Sequence, residues 1–377
     1  MFVPPADLRS GSARRVLAAL LSSWPCTRPE LARRTGLSAM TVGKAADHLL
    51  AAGYLVEAPG DPTTAQGRPG RLLSPSSRPC FVAVELGVQR TWLYRLGLAG
   101  EAAGVERVVV PMQDGPEAFR RAVEASREVL GDDAAEAVLV SVPGVLDAEQ
   151  PAIVFSPNLH WSEGSELLRS LGRTFAAPVC AVQEAQALAL GHLTAGQAPA
   201  HFLMVDLGDG VGSSIVAGGR LFGGPLPLSG EIGHTPIAGN ERRCGCGALG
   251  CIETLAGRAG LLRTAAAHLP GVADWAALTA ALAGRPLPAW LLPTIDALAM
   301  VLAGALNLLG LRDVVAVGPV ADLHPEVVPE LGRRLAAHAL LGRFGRVECR
   351  HAPDRRQLGL LRAAIDRVLV AEPRRDD

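Results

Sequence analysis

The stretch Gly230-Glu231-Ile232-Gly233-His234-Thr235, followed by Cys244-Gly245-Cys246-Gly247-Ala248-Leu249-Gly250-Cys251-Ile252-Glu253-Thr254, decides how the rest of the chain is read. Three of the seven cysteines fall within eight residues, and His234 lies ten residues before the first of them. Three thiolates and one imidazole form a closed tetrahedral ligand set, the complement of a structural zinc ion. Glycines at 245, 247 and 250 allow a short loop to bring three sulfurs within about 2.3 Å of one ion. Buried thiols acting as small hydrophobes would not explain such clustering. The expected cofactor is therefore structural Zn2+, held by His234, Cys244, Cys246 and Cys251.

The block E-x-G-H-T…C-x-C-G-x-x-G-C-x-E resembles the signature of the ROK family, which comprises sugar kinases and transcriptional repressors. Upstream, Asp206-Leu207-Gly208-Asp209-Gly210-Val211-Gly212 resembles that family's second, glycine-rich phosphate loop. The likeness extends over roughly residues 80 to 370. It implies an α/β body of two actin-like, ribonuclease-H-like lobes that enclose a small molecule.

Composition limits the other possibilities. A chain of 377 residues accommodates two or three domains, and 49% hydrophobic with 19% charged residues is ordinary for a globular protein. Lys44 is the only lysine, which excludes a Walker-type phosphate loop. The N-terminus shows no apolar signal core, with Pro4 and Pro5 where one would begin. Trp290 to Gly310 is apolar enough for a membrane span, but Pro293, Asp296 and Asn307 within it favour a buried core helix. No membrane partner is expected. An odd cysteine count with a thiolate metal site fits a reducing cytoplasm. Charge is uneven: residues 1–75 carry a net +4 and the remainder −5. A basic module on an acidic body suggests a polyanion as partner of the first part.

The first 75 residues read as a winged helix-turn-helix. Val16, Leu17, Leu20 and Leu21 recur on one face of a first helix, Ser12 to Ser23. Thr27 and Glu30 form a capping box for a second helix that Gly36 closes, and Ser38 caps a third, Ser38 to Ala52. In this motif Ala39, Met40, Thr41, Gly43 and Lys44 face base edges in the major groove. Tyr54 to Glu57 and Arg71 to Ser74 read as the strands of a wing whose tip, Gln66 to Arg71, carries arginines suited to a narrow minor groove. The expected contacts to a double-stranded DNA operator are Ser38, Met40, Thr41, Lys44, Arg68 and Arg71.

From Cys80 the pattern changes to strands at Phe81 to Leu86, Thr91 to Leu96 and Val105 to Pro111, then a helix from Pro116 to Leu130 and a strand from Ala137 to Val142. A similar series recurs with strands at Phe202 to Leu207 and Ser214 to Ala217, a long helix after Cys251, and a strand at Val314 to Gly318. The resulting domains are 1–75 for the winged helix, 76–198 for the first lobe and 199–377 for the second lobe with the zinc loop. A return of the last helix onto the first lobe is left open.

The resemblance also brings site residues. ROK kinases carry an Asp-x-Gly-Gly-Thr phosphate turn, where this chain has Glu85-Leu86-Gly87-Val88-Gln89-Arg90. The second glycine and the hydroxyl donor are lost. In the second turn Asp209 stands where the family has threonine, and its charge repels phosphate. The kinases' Asn-Asp pair, which holds the catalytic base, is Gln183-Glu184 here; a base misplaced by about 1 Å can lose on the order of 100-fold in rate. No catalytic residue is assigned, and Glu184 marks a degenerate base position. Sugar contacts fare better: Asn158, in Asn158-Leu159-His160-Trp161, and Glu231, His234 and Glu253 match the family's contacts residue by residue, while Glu184 stands at the contact where the family has aspartate.

The expectation is a sugar-responsive DNA-binding regulator, a repressor rather than an enzyme, with a degenerate kinase body as carbohydrate sensor. A palindromic operator requires two readers, hence a homodimer or homotetramer. The competing reading is an ATP-dependent sugar kinase with a fused DNA-binding domain.

Overall fold

The computed structural model describes residues 10–59, 71–100, 107–112, 115–131, 134–147, 150–196, 198–223 and 228–366. They fall into two compact units, drawn from 1–141, 165–182 and 360–377, and from 142–164 and 183–359.

The first unit opens with α1 (Gly11–Leu21), the short strand β1 (Cys26–Thr27), α2 (Arg28–Thr35) and α3 (Ala39–Ala51). Each helix boundary has a local cause. Thr27 and Glu30 cap α2 reciprocally, and Gly36 ends it in the left-handed conformation. The Ser38 hydroxyl accepts from the Thr41 N–H at the start of α3. Strands β2 (Leu55–Pro59) and β3 (Arg71–Pro75) pair antiparallel, and β3 also pairs with β1. Val16, Leu17, Leu20, Leu31, Val42, Ala46, Leu49 and Leu73 are fully buried and form the core of this module. Three helices and a β-ribbon follow one another in the order expected of a winged helix-turn-helix. Arg68, at the wing tip, lies outside the described residues.

The chain passes directly into β4 (Pro79–Glu85), β5 (Arg90–Gly97), β6 (Val108–Pro111), α4 (Gly115–Leu130) and β7 (Ala137–Val142). The ribbon β8 (Val145–Leu146) and β9 (Ile153–Phe155) belongs to the second unit, and α5 (Glu166–Phe175) and β10 (Val179–Gln183) then complete the first. The sheet order is β10-β7-β4-β5-β6. β4 is antiparallel to β5 and parallel to β7, with Phe81 opposite both Leu96 and Ala137. The side chains of Phe81, Val82, Ala83 and Val84 are all buried, as expected for a central strand covered on both faces.

The second unit contains α6 (Glu184–Thr194), β11 (Phe202–Leu207), β12 (Val211–Ala217), β13 (Arg220–Leu221), α7 (Glu253–Ala256), α8 (Arg258–Ala266), α9 (Trp275–Leu282), α10 (Leu292–Leu309), β14 (Asp313–Val317), α11 (Val327–His338) and β15 (Glu348–His351). Its sheet order is β13-β12-β11-β14-β15. Side chains of β11 alternate between two cores: Leu203, Val205 and Leu207 join the core that contains α10 and α11, while Phe202 and Met204 join one that includes Leu188 and Ala189 of α6. The last helix, α12 (Arg356–Ala364), begins in the second unit and ends in the first.

Two sequence expectations change. The segments 142–164 and 183–198, including α6, group with the second unit and not with the first lobe, whereas residues from Leu360 onward group with the first, the possibility left open from the sequence. The long helix expected after Cys251 is broken at Gly257 into α7 and α8, because the Gly208–Gly212 loop packs there. A Cβ at Gly257 would lie 2.7 Å from the Asp209 carbonyl oxygen, and the Arg258 N–H donates to the Gly208 carbonyl at 3.1 Å. The apolar stretch Trp290 to Gly310 contains the whole of α10, whose Ile295, Leu298, Leu302 and Leu306 are buried in the core.

Candidate functional site

The cysteine loop folds on itself: the Cys244 N–H donates to the Ala248 carbonyl at 2.9 Å and the Gly247 N–H to the Cys244 carbonyl at 3.0 Å. Gly245 lies flat against the segment before Asn158, since a Cβ there would meet the Pro157 carbonyl oxygen at 2.2 Å. The result gathers the four expected ligands. One donor atom each from His234, Cys244, Cys246 and Cys251 lies within 4.8 Å of the others. The Cys246 and Cys251 sulfurs are 3.6 Å apart, as are the Cys244 sulfur and His234 Nδ1. Bonds of about 2.3 Å in a tetrahedron require sulfur separations of about 3.8 Å, so the donor set fits a metal ion. Burial pushes the Cys244 thiol up to about 12, so three thiolates at neutral pH need a cation among them.

The second face of His234 turns to a polar cluster. His234 Nε2 lies 3.7 Å from Glu231 Oε2, and the Gln183 amide donates to Glu231 Oε1 at 2.9 Å. Asn158 Nδ2 donates to Glu253 Oε1 at 3.2 Å, and Glu253 Oε2 accepts the Val211 N–H at 3.0 Å. Burial raises the Glu231 pKa, opposed by the neighbouring His234 and the Gln183 hydrogen bond. His160 ties the cysteine loop to the segment after β9: Nδ1 faces Glu163 Oε1 at 2.8 Å and Nε2 faces the Gly245 carbonyl at 3.1 Å. Both ring nitrogens meet acceptors, so the imidazolium form satisfies both, and the His160 pKa is raised, first by Glu163.

Glu184 is engaged elsewhere. It opens α6 and forms an ion pair with Arg356. Arg356 also pairs with Asp354 at 3.1 Å and approaches Asp206 at 4.0 Å. Asp206 is buried at the end of β11, and burial followed by the Glu184 charge raises its pKa well above the ordinary carboxylate value. In the glycine-rich loop Asp209 pairs with Arg258 at 3.1 Å, and the guanidinium of Arg258 lies over the Trp275 ring at 5.2 Å. In the first unit Glu85 accepts the Tyr94 hydroxyl at 2.6 Å. Thus Asn158, Glu231, His234 and Glu253 come together, while Glu184 and Asp209 are neutralised by arginines.

On the winged helix, Ser38, Met40 and Lys44 are exposed, Met40 to 72%. Thr41 is half-buried, its hydroxyl 2.9 Å from that of Ser38. Val42, Ala45, Ala46 and Leu49 turn inward. Arg71 is exposed at the wing root and pairs with Glu57 at 2.6 Å; Glu57 also accepts Arg28 at 3.2 Å.

The sequence assigns no role to Gln183, His160, Arg258 or Arg356. Gln183 and His160 sit beside expected contacts, so proximity in sequence was an available signal. The two arginines act on carboxylates 49 and 172 residues away, and no local pattern marks them.

Comparison with known proteins places these features. The ROK family model matches residues 81–364. A putative xylose repressor of Caldicellulosiruptor sp. (strain Rt8B.4) is 26% identical over 261 residues, which are 66% of this chain and 64% of that protein. The N-acetylmannosamine kinase of Escherichia coli O157:H7 is 29% identical over 192 residues, 50% of this chain and 65% of the kinase. The matched part thus spans somewhat under two thirds of these relatives. A crystal structure of a ROK family transcriptional regulator, a homologue of the E. coli MLC protein, superposes with a TM-score of 0.72 at 19% identity, over 95% of this chain and 96% of that one. With the cysteine loop, the glycine-rich loop and a family match over most of its length, this chain belongs to the ROK family.

Proposed function

We propose that the chain is a sugar-responsive DNA-binding transcriptional regulator, a repressor, and not a sugar kinase. The observation that carries this reading is the contrast within the second unit. The polar cluster of Asn158, Gln183, Glu231, His234 and Glu253 is assembled, while the base position Glu184 is held by Arg356. A carboxylate held in an ion pair is a poor proton acceptor, and Asp209 places negative charge in a loop that would receive phosphate. Carboxylates and amides that each make two hydrogen bonds suit the hydroxyls of a sugar or sugar derivative.

The winged helix, with Met40 and Lys44 exposed on α3, supplies the DNA reader. Ser38, Thr41, Arg68 and Arg71 are the further proposed DNA contacts. Zinc is the proposed metal. His234, Cys244, Cys246 and Cys251 would hold it, and its chemistry there is structural. Held through Nδ1, the His234 ring would be fixed with Nε2 toward the polar cluster. The proposed setting is cytoplasmic, and the proposed assembly is a homodimer or homotetramer on a two-fold operator. Sugar binding then shifts the population between DNA-competent and DNA-incompetent states by its differential affinity for the two.

Relatives named as xylose repressors support this reading. The second reading, an ATP-dependent sugar kinase with a fused DNA-binding domain, draws on the 29% identity to N-acetylmannosamine kinase. Fluorescence anisotropy of labelled DNA from the gene's upstream region, with and without a panel of sugars, tests the first reading. An ATP-coupled assay on the same sugars tests the second. Salt-sensitive DNA binding that shifts with one sugar, without ATP turnover, is the expected result. ATP turnover without DNA binding would reverse it.

A further inference from the structure

Four charged side chains of alternating sign run across the N-terminal helical module, one each from α3, α2, β2 and β3. Asp47 of α3 pairs with Arg28 Nη2 of α2 at 2.8 Å, and the same nitrogen donates to Glu57 Oε1 of β2 at 3.2 Å. Glu57 turns its other oxygen, Oε2, to Arg71 of β3 at 2.6 Å. The strand register places the last pair: Glu57 lies opposite Leu73, so Arg71, two residues earlier, is its diagonal neighbour on the same face of the ribbon. Leu73 is fully buried there, and the Glu57 side chain beside it is 14% exposed. The ends of the ladder are open instead, Asp47 at 66% and Arg71 at 67%. Asp47 follows Met40 and Lys44 at i+7 and i+3, so it stands on the helix face that carries both.

We infer that Glu57 is a positioning residue that sets the sequence discrimination of the proposed DNA reader. It ties the β2–β3 ribbon to α3 through Arg28, and it keeps the Arg71 charge from acting as an unrestrained phosphate grip. The inference rests on the regulator reading given above. Attraction to any duplex grows with the number of phosphates that Lys and Arg neutralise, whatever the sequence. Discrimination comes from side chains at base edges, and those must be held in place. The ladder acts on both quantities. Its two carboxylates balance its two guanidiniums, so it adds no net charge to the face. It also links the elements on which Met40, Lys44 and Arg71 stand, which fixes their relative positions. Glu57 is the ladder's carboxylate with an arginine on either side, so its loss releases Arg71 and uncouples the ribbon from the helices in one step. Exposed ion pairs contribute little to folding stability, so that loss falls on geometry and charge rather than on the fold.

Fluorescence anisotropy of the full chain tests this with two labelled duplexes, one from the gene's upstream region and one of scrambled sequence with the same length and composition. Glu57→Gln is expected to bind the scrambled duplex about three- to tenfold more tightly, with a salt slope steeper by about one. The upstream duplex is expected to gain nothing, so the ratio of the two affinities falls several-fold while the melting temperature holds. Adding Arg71→Ala to Glu57→Gln should return scrambled-duplex binding to the wild-type value without restoring the ratio. Arg28→Gln approaches the ladder from its other side and serves where Glu57→Gln fails to fold. It should lower the ratio without tightening binding to the scrambled duplex. Both duplexes gaining equally in Glu57→Gln, with the ratio kept, would reduce Glu57 to a plain charge effect and overturn the inference. A lower melting temperature with both affinities unchanged would do the same by leaving it a structural role alone. Either result leaves the regulator reading standing. A wild-type chain that binds neither duplex, or both alike, removes the reader itself, and the inference falls together with that reading.

Discussion

Tyr54 donates its hydroxyl hydrogen bond to Glu136 across 3.0 Å, joining the residue that precedes β2 to the residue that precedes β7. The link is reinforced next to the chain crossover: the Ser76 N–H donates to the Tyr54 carbonyl at 2.9 Å, and the Ala99 N–H donates to the Ser76 carbonyl at 3.2 Å. Tyr54 is buried. The N-terminal helical module is therefore seated on the first sheet rather than hung from a loose tether. Tyr54→Phe keeps the ring and removes the bond, at a cost of about 1 kcal/mol. The expected outcome is DNA affinity within about threefold of wild type and a weakened response to sugar, read by anisotropy with and without the effector. An unchanged response would show that the bond serves stability alone.

Lys44 is the only lysine, exposed on α3, and Arg68 is a proposed DNA contact. Removing one phosphate or base contact from either should weaken DNA binding by roughly tenfold and, for a phosphate contact, lower the salt slope by about one. Lys44→Ala and Arg68→Ala are each expected to do so with sugar affinity unaltered, as checked by anisotropy across salt concentrations and by calorimetry with the sugar.

Asn158 and Glu253 bond each other at 3.2 Å. Asn158→Ala and Glu253→Gln should each reduce sugar affinity by about 10- to 100-fold, since each leaves a partner unpaired. DNA binding without sugar should remain. Titration calorimetry measures the first effect and anisotropy the second.

Cys246→Ser removes one of four metal donors. Loss of bound zinc by elemental analysis and a lower melting temperature are the expected results. Full metal content with unchanged melting would refute the ligand assignment.

Asp206 is buried facing Glu184, Arg356, Asp354 and Asp209, and its pKa is raised well above the ordinary 3.8. A carboxyl raised on folding binds more protons folded than unfolded. Its contribution to stability is therefore greatest below pH 3.8 and falls as pH rises through the folded value. Asp206→Asn, which cannot titrate, should flatten that decline, so the variant gains on the wild type as pH rises from 4 to 8. Denaturant melts across this range check the sign.

The sequence by itself determined the local features. Thr27, Glu30, Gly36 and Ser38 set the ends of α2 and α3, because capping acts over three or four residues. The glycine-spaced cysteines were legible as one cluster of donors for the same reason: three of the four lie within eight residues. The apolar run Phe202 to Leu207 read as a strand, and β11 is that strand. Asn158, Glu231, His234 and Glu253 could be named from motif resemblance, but their meeting required the fold to bring position 158 to position 253.

Only the tertiary structure decided what became of Glu184 and Asp209. A carboxylate in a sequence has no visible partner when that partner is an arginine 172 residues away, as Arg356 is from Glu184. The break at Gly257 was hidden likewise, because helix propensity does not register a carbonyl from the Gly208–Gly212 loop pressing on the backbone. Short-range hydrogen bonding and periodicity are written in neighbouring residues. Ion pairing across the chain and close backbone packing exist only once distant segments share the same space.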